Sequence, residues 1–329
     1  MTKVRWGVLS TAKIGGEKVI PAMQAGKYCE ITGISSANKE KAESIAKQNN
    51  IAKVFDSYEA LLADPDIDAV YIPLPNHLHV PWSVKALHAG KHVLCEKPIA
   101  LSATEAEELL QVSQQYPHLK IMEAFMYRFH PQWHAVKQMI ADGSIGQLKT
   151  VQSIFSYYNI DPLNVRNQKD IGGGGLMDIG CYPISTSRFI FGQEPEKVFG
   201  TLEFDPVFKT DIMASAILEF SNGTATFTCS TQAVPYQRMN IIGSEARIEL
   251  EIPFTPAFDS PAIIWLHTKT HSQQISLDAT NQYTLQGDQF SLAILNKEEL
   301  PTKFTDAVNN MKVIDAVFES GRTGSWQVV

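Results

Sequence analysis

The feature that most constrains this chain is the regular alternation of strand-like and helix-like runs through its first third. An apolar run at residues 4–9 feeds a helical pattern at 14–24, and a second strand at 30–36 feeds a charged helix at 39–49. The series continues with a strand at 68–72, a helix at 77–89 ended by Gly90, a strand at 92–95, a helix at 102–115 and a closing strand at 119–124. Ser102-x-x-Glu105 fits a capping box at the start of the last helix. Strands separated by helices need crossover connections, which give a parallel sheet covered on both faces.

The pattern changes after residue 124. A helix is expected at 131–141, a long alternating strand at 147–158, then a polar loop, the glycine run 172–175 and a helix at 176–191. From 197 to 276 the chain reads mostly as strands, with Asn222-Gly223 suited to a type I′ hairpin turn, and a final helix is expected at 302–320, before Gly321. Strand runs with segregated helices predict an α+β domain with an open, mostly antiparallel sheet. The expected division is therefore 1–124, an α/β domain of the Rossmann type, and 125–329, an α+β domain. A length of 329 residues suits two domains, and 44% hydrophobic with 19% charged residues suits ordinary cores.

Net charge is −7 with no basic block, which argues against nucleic-acid partners. Apolar stretches are too short to span a membrane. The N-terminus runs straight into a strand, so no signal peptide is expected. Cys29, Cys95, Cys181 and Cys229 have no CxxC spacing, which predicts buried thiols in a reducing compartment. No His/Cys/Asp/Glu cluster has metal-ligand spacing, so no metal is expected.

The first strand enters Ser10-Thr11-Ala12-Lys13-Ile14-Gly15, where a dinucleotide fold places its G-x-G-x-x-G turn against the pyrophosphate. Ser10 and Ala12 replace the first two glycines, so Ser10 should strain the turn; an ordinary strand-to-helix turn would read the same way. The second strand ends Ser35-Ser36-Ala37-Asn38-Lys39, without the acid that would hold a ribose 2′-hydroxyl. Ser36 and Asn38 could donate to a 2′-phosphate, with Lys39 or Lys41 supplying charge, which predicts NADP over NAD. A polar strand end beside a solvated helix face is the plainer alternative.

Glu96-Lys97-Pro98 follows a strand and so lies at a carboxyl end of the sheet, where open α/β folds bind ligands. There Lys97 could polarise a substrate hydroxyl, or be a surface lysine in a turn. Asp178 and Tyr182 lie four residues apart on one helical face. A phenol near an ammonium ionises more easily and suits proton exchange with an alcohol, although a packed tyrosine would look the same.

With these residues the chain resembles the Gfo/Idh/MocA oxidoreductase family over nearly its full length. The resemblance rests on Leu74-Pro75-Asn76-His77-Leu78-His79, Glu96-Lys97-Pro98, the glycines leading to Asp178-Ile179-Gly180, and Ile242-Gly243-Ser244. Tyr182, with residues 123–131, resembles the branch containing glucose-fructose oxidoreductase, dimeric dihydrodiol dehydrogenase and D-xylose dehydrogenase. The resemblance implies Lys97 and Tyr182 as catalytic residues, Asp178 as a substrate-binding one, and Arg128 as either substrate-facing or structural. It implies cofactor contacts from Ser10, Thr11, Ala12, Lys13, Ile14, Pro75, Asn76, His79, Glu96, Lys97 and Arg166; a capping or packing role would suit His79 equally, and a solvated charge on a polar loop would suit Arg166 equally. The implied reaction is hydride transfer between NAD(P) and a secondary alcohol or hemiacetal carbon of a sugar, polyol or cyclic diol. A homodimer joined through the exposed sheet face and a cytoplasmic location are also expected. Two alternatives share the fold: a non-catalytic dinucleotide or sugar sensor, and a glycoside-cleaving enzyme using transient oxidation.

Overall fold

A computed structural model describes residues 2–329, which divide into two compact units. The first comprises residues up to Met126 together with Asn281–Val308. Among the described residues its sheet has six strands: β1 (Val4–Leu9), β2 (Cys29–Ser35), β3 (Lys53–Phe55), β4 (Ala69–Ile72), β5 (His92–Cys95) and β6 (Ile121–Glu123). All pair in parallel, in the order β3-β2-β1-β4-β5-β6. That is the strand order of a dinucleotide-binding fold, with its topological switch at β1 and β4. The helices are α1 (Ile20–Gln24), entered through a π-turn at Gly15–Val19, then α2 (Lys39–Gln48), α3 (Tyr58–Ala63), α4 (His79–His88) and α5 (Ala103–Gln114). Trp6, Val8, Ile34, Tyr71 and Leu94 are fully buried, as strands covered on both faces require.

The second unit comprises Tyr127–Thr280 and Asn309–Val329. It begins with α6 (Pro131–Ala141) and β7 (Leu148–Tyr158), and a π-turn at Leu176–Gly180 leads into α7 (Cys181–Phe191). Its remaining strands are β8 (Lys197–Phe204), β9 (Asp211–Phe220), β10 (Gly223–Ser230), β11 (Gln232–Gly243), β12 (Arg247–Leu250), β13 (Ala262–His267), β14 (Ser272–Leu277) and β15 (Gln327–Val328). Among the described residues they form a nine-stranded sheet, β14-β13-β12-β11-β7-β10-β9-β8-β15, antiparallel except at β7–β10.

The division at 1–124 and 125–329 needs correction. A helix the sequence reading passed over, α8 (Gln282–Leu295), packs in the first unit. The Asp288 carboxylate accepts from the Lys27 and Tyr28 amides at 3.0 and 2.9 Å, and Trp6 Nε1 donates to Ser291 Oγ at 3.1 Å. Gly287 looks like a helix breaker in sequence, but a Cβ there would meet Cys29 Sγ and Met23 Cγ at 2.9 Å. Its missing side chain lets the helix dock. The last helix, α9 (Phe304–Thr323), runs past Gly321, and the division between the units falls within it.

Two local expectations also change. The β9–β10 hairpin turns through Ser221-Asn222, with Phe220 opposite Gly223. Neither Asn222 nor Gly223 takes a positive φ, so the turn is not type I′. On β10, Ala225, Phe227 and Cys229 are buried together while Thr224, Thr226 and Thr228 face outward. The exposed sheet face expected to join the dimer is therefore polar along β10.

Candidate active site

In the first unit, the chain turns at the carboxyl end of β1 with Ser10 at φ 130°, a left-handed backbone normally left to glycine. Ser10 N donates to Ser35 O, and Ser10 Oγ accepts from the Ala12 amide, both at 2.9 Å. The hydroxyl thus compensates locally for the missing glycine. Gly15, the one glycine kept from the fingerprint, sits where a Cβ would lie 3.4 Å from Pro73 and 3.7 Å from the Tyr71 ring. That is the glycine position where the helix approaches the sheet most closely.

Thr11 is buried, and its Oγ1 lies 3.0 Å from Ser36 Oγ, which also accepts from the Asn38 amide. Asn38 caps α2 by accepting from Lys41 N at 2.9 Å. Lys39 turns to the exposed Asp56, 2.6 Å away, which raises its pKa and lowers that of Asp56. Lys13 is exposed, and Ala12 and Ile14 are half-buried.

Pro75 and Asn76, half-buried, open a single 3₁₀ turn beyond β4. Glu96 and Lys97, also half-buried, follow β5, and the Lys97–Pro98 peptide is cis. Glu96 Oε1 accepts from the buried Tyr71 phenol at 2.5 Å. Burial, and then the Glu96 charge, push the pKa of the Tyr283 phenol upward. Ser102 Oγ accepts from Glu105 N, while Glu105 Oε2 accepts from Leu101 N, one residue beyond the Ser102 amide that a capping box would use.

His79 does not fit a direct cofactor contact. The side chain is fully buried, with Nδ1 2.7 Å from Pro98 O and Nε2 2.7 Å from Leu74 O. Burial lowers its pKa to about 4, against the two carbonyls, which favour the doubly protonated ring.

In the second unit, Asp178 lies on the π-turn before α7, a local distortion that often marks functional sites. Its Oδ2 accepts from Tyr157 Oη at 2.6 Å and Arg166 Nε at 2.7 Å. Asp178 is the main cause of the raised Arg166 pKa, while burial and then Asp178 raise that of Tyr157. The turn is built by the preceding glycines. Gly174 takes φ 124°, and a Cβ there would come 2.0 Å from Asp211 Oδ1. Asp211 Oδ2 accepts from Leu176 N at 2.6 Å. Tyr182 is 5% exposed, with ring centroids of Phe254, Phe155 and Tyr127 at 5.5, 5.7 and 6.1 Å.

Of the two roles expected for Arg128, its contacts suit the structural one. Its Nη2 donates to Ser185 Oγ at 2.8 Å and its Nε to Tyr127 Oη at 3.1 Å, with the guanidinium 5.4 Å from the Phe189 ring. It braces the start of the second unit against α7. Sequence reasoning missed Tyr157, Tyr71, Tyr283 and Asp211. For Tyr157 a signal existed, since it shares the inward parity of Phe155 along β7.

A parallel sheet of this order, with a turn shaped for a dinucleotide, followed by an antiparallel unit carrying Asp178 and Tyr182, defines a two-unit oxidoreductase. Residues 4–123 match the family model for the oxidoreductase family, NAD-binding Rossmann fold, and residues 133–249 match the GFO/IDH/MocA C-terminal domain. The chain belongs to the Gfo/Idh/MocA family. It is 40% identical to an uncharacterized oxidoreductase of Rhizobium meliloti, covering all of both chains. It is 34% identical to D-xylose 1-dehydrogenase (NADP(+)) 2 of Haloferax volcanii, over 97% of this chain and 98% of that one. A crystal structure of a 3-ketoreductase from Actinomadura kijaniata in complex with NADP and TDP-benzene superposes with a TM-score of 0.92 at 31% identity, covering 97% and 98% of the two chains.

Proposed function

We propose that this enzyme transfers a hydride reversibly between NADP and a secondary alcohol or hemiacetal carbon of a sugar, polyol or cyclic diol. The observation that carries the reading is Glu96-Lys97-Pro98 at the carboxyl end of β5, in a sheet of dinucleotide-binding order. The NADP named for the xylose dehydrogenase and found with the ketoreductase supports the cofactor choice. Relatives named for a reaction are named for oxidation or reduction, of sugars in some and of a dihydrobenzenediol in others, which favours catalysis over sensing.

The nicotinamide, when bound, supplies the hydride acceptor or donor. In this reading Ser10, Thr11, Ala12, Lys13 and Ile14 contact the pyrophosphate, and Ser36 and Asn38 the 2′-phosphate. Pro75, Asn76, Glu96 and Arg166 complete the cofactor contacts. The Lys97 ammonium orients the reacting hydroxyl, Tyr182 exchanges its proton, and Asp178 holds substrate hydroxyls with its carboxylate aligned by Tyr157 and Arg166. We further propose a cytoplasmic homodimer; four buried thiols suit a reducing compartment. Among the described residues no helix is long and apolar enough to cross a membrane.

The test is a screen of aldoses, inositols and vicinal diols, following nicotinamide absorbance with NADP and NAD. One or two hydrogen bonds to a charged phosphate should favour NADP about 10- to 100-fold in kcat/KM. A clear NAD preference, or no turnover across these classes, would reject the reading.

A further inference from the structure

We infer that His79 is a positioning residue that holds Lys97 in register by clamping two loops at the carboxyl edge of the first unit's sheet; this rests on the reading of Lys97 as catalytic. The His79 ring spans the loop after β4 and the loop after β5. On one side it meets Leu74 O, the residue before Pro75-Asn76, and on the other Pro98 O, the residue after Lys97. Both contacts are short, 2.7 Å, and the ring is 0% exposed, so no water competes for either carbonyl. The imidazolium donates to both carbonyls; a neutral ring donates to one and packs its other nitrogen against the second, so in that form the clamp is one hydrogen bond and one packing contact.

The rest of the Lys97 loop is pinned too. Buried Glu123 accepts from Ile99 N through Oε1 at 2.8 Å, and Glu105 accepts from Leu101 N at 3.0 Å. Only His79 ties this loop to a second one among these three contacts, because it alone reaches the loop after β4. Without it, Lys97 keeps its tie to β4 through Glu96, which accepts from Tyr71 Oη and donates its amide to Ile72 O, but the loop after β5 loses its link to the loop after β4 on the far side of Lys97. A misplacement near 1 Å at a reacting group can reduce turnover about 100-fold.

The experiment compares wild type with His79→Phe, which keeps a ring without donors, and His79→Gln, which restores an amide donor. In coenzyme-free protein, peptide-mapped acetylation by acetic anhydride should speed up at Lys97 about 3- to 10-fold in His79→Phe, as local opening increases. Lys53, in the same unit, serves as reference and should not change. With the substrate found in the screen, kcat should fall about 10- to 100-fold while KM moves less than about threefold. His79→Gln should lie between the two. In a Lys97→Ala background, His79→Phe should add less than about threefold, since it acts through the missing amine. Unchanged Lys97 labelling, or losses that multiply in the double variant, would overturn the inference. So would a His79→Gln protein that labels faster at Lys53 as well, because the ring would then hold the fold and not the lysine. Normal turnover by Lys97→Ala alone would instead reject the catalytic reading, and the labelling would still decide the role of His79.

Discussion

Ser10 shows how a departure from a sequence fingerprint is absorbed at one residue. A non-glycine at φ 130° costs about 1–3 kcal/mol, and the Oγ bond to the Ala12 amide returns about 1 kcal/mol of it. Ser10→Ala keeps the strain and loses the bond, so it should destabilise by about 1 kcal/mol. Ser10→Gly loses the same bond but relieves the strain, and should stay near wild type. Urea melts of the two variants check this; equal losses would mean that φ carries no strain. Lys97 and Tyr182 bear the second prediction at this scale. Tyr182→Phe keeps the packed ring and removes the proton acceptor, so kcat should fall about 10²–10⁴-fold with coenzyme affinity little changed. Lys97→Ala should lose at least as much, and the double variant far less than the product, because residues acting as a unit are non-additive. Near-normal turnover by Tyr182→Phe would leave Lys97 as the base and Tyr182 as packing. At this scale the sequence exposed residue types in motifs, such as Glu96-Lys97-Pro98. Parity along β7 exposed the inward direction of Tyr157 but not its role, which depends on the Asp178 oxygen it meets across the fold.

Among the elements, the π-turn at Leu176–Gly180 is held by the buried Asp211 carboxyl. Burial raises the Asp211 pKa to about 6, although backbone amides of Leu176 and Gly175 pull it down. Asp211 therefore binds its proton more tightly in the folded protein than in the unfolded chain. The stability from this group is fully present below pH 3.8 and is lost as pH rises through about 6. His92 and His130, lowered to about 4 by burial, act in the opposite sense: their contribution is present above pH 6.5 and lost as pH falls through about 4. Asp211→Asn separates the two effects. Its stability relative to wild type should shift in the variant's favour by about 2–3 kcal/mol between pH 4 and pH 7. Denaturant melts at both pH values measure this, and a difference independent of pH would rule it out. Elements were legible where period and boundary signals agree, as in β1, α5 and α6. They were not legible where a tertiary partner overrides a local signal: Gly287 reads as a break until Cys29 and Met23 fill the space its side chain would occupy. The three-residue strand β3 has too few residues to show a period.

For the whole molecule, alternation in the first third specified the parallel sheet. The return of α8 to the first unit was hidden, because sequence order carries no information about which core a late helix joins. The proposed dimer belongs to this scale. The outward face of the second unit's sheet keeps Met213, Ile217 and Tyr236 at 38%, 39% and 45% exposure. It also holds a hollow of about 520 Å³ lined by Ile154, Phe199, Ile217, Tyr236, Arg238 and Asn240. The threonines of β10 and the Arg247–Glu249 ion pair, with His267 beside it, make this face mixed in polarity. A mixed face suits an interface of standard size, about 800 Å² from each partner, better than a core-like obligate one. Apolar residues gathered on an open sheet face are normally covered by a symmetric copy. Light scattering should therefore show a dimer at micromolar concentration. Ile217→Lys places a charge on each partner near the middle of that face, and should shift the protein to monomer without changing its circular dichroism. A wild-type monomer at micromolar concentration, or an Ile217→Lys variant that remains fully dimeric, would move the interface elsewhere or remove it.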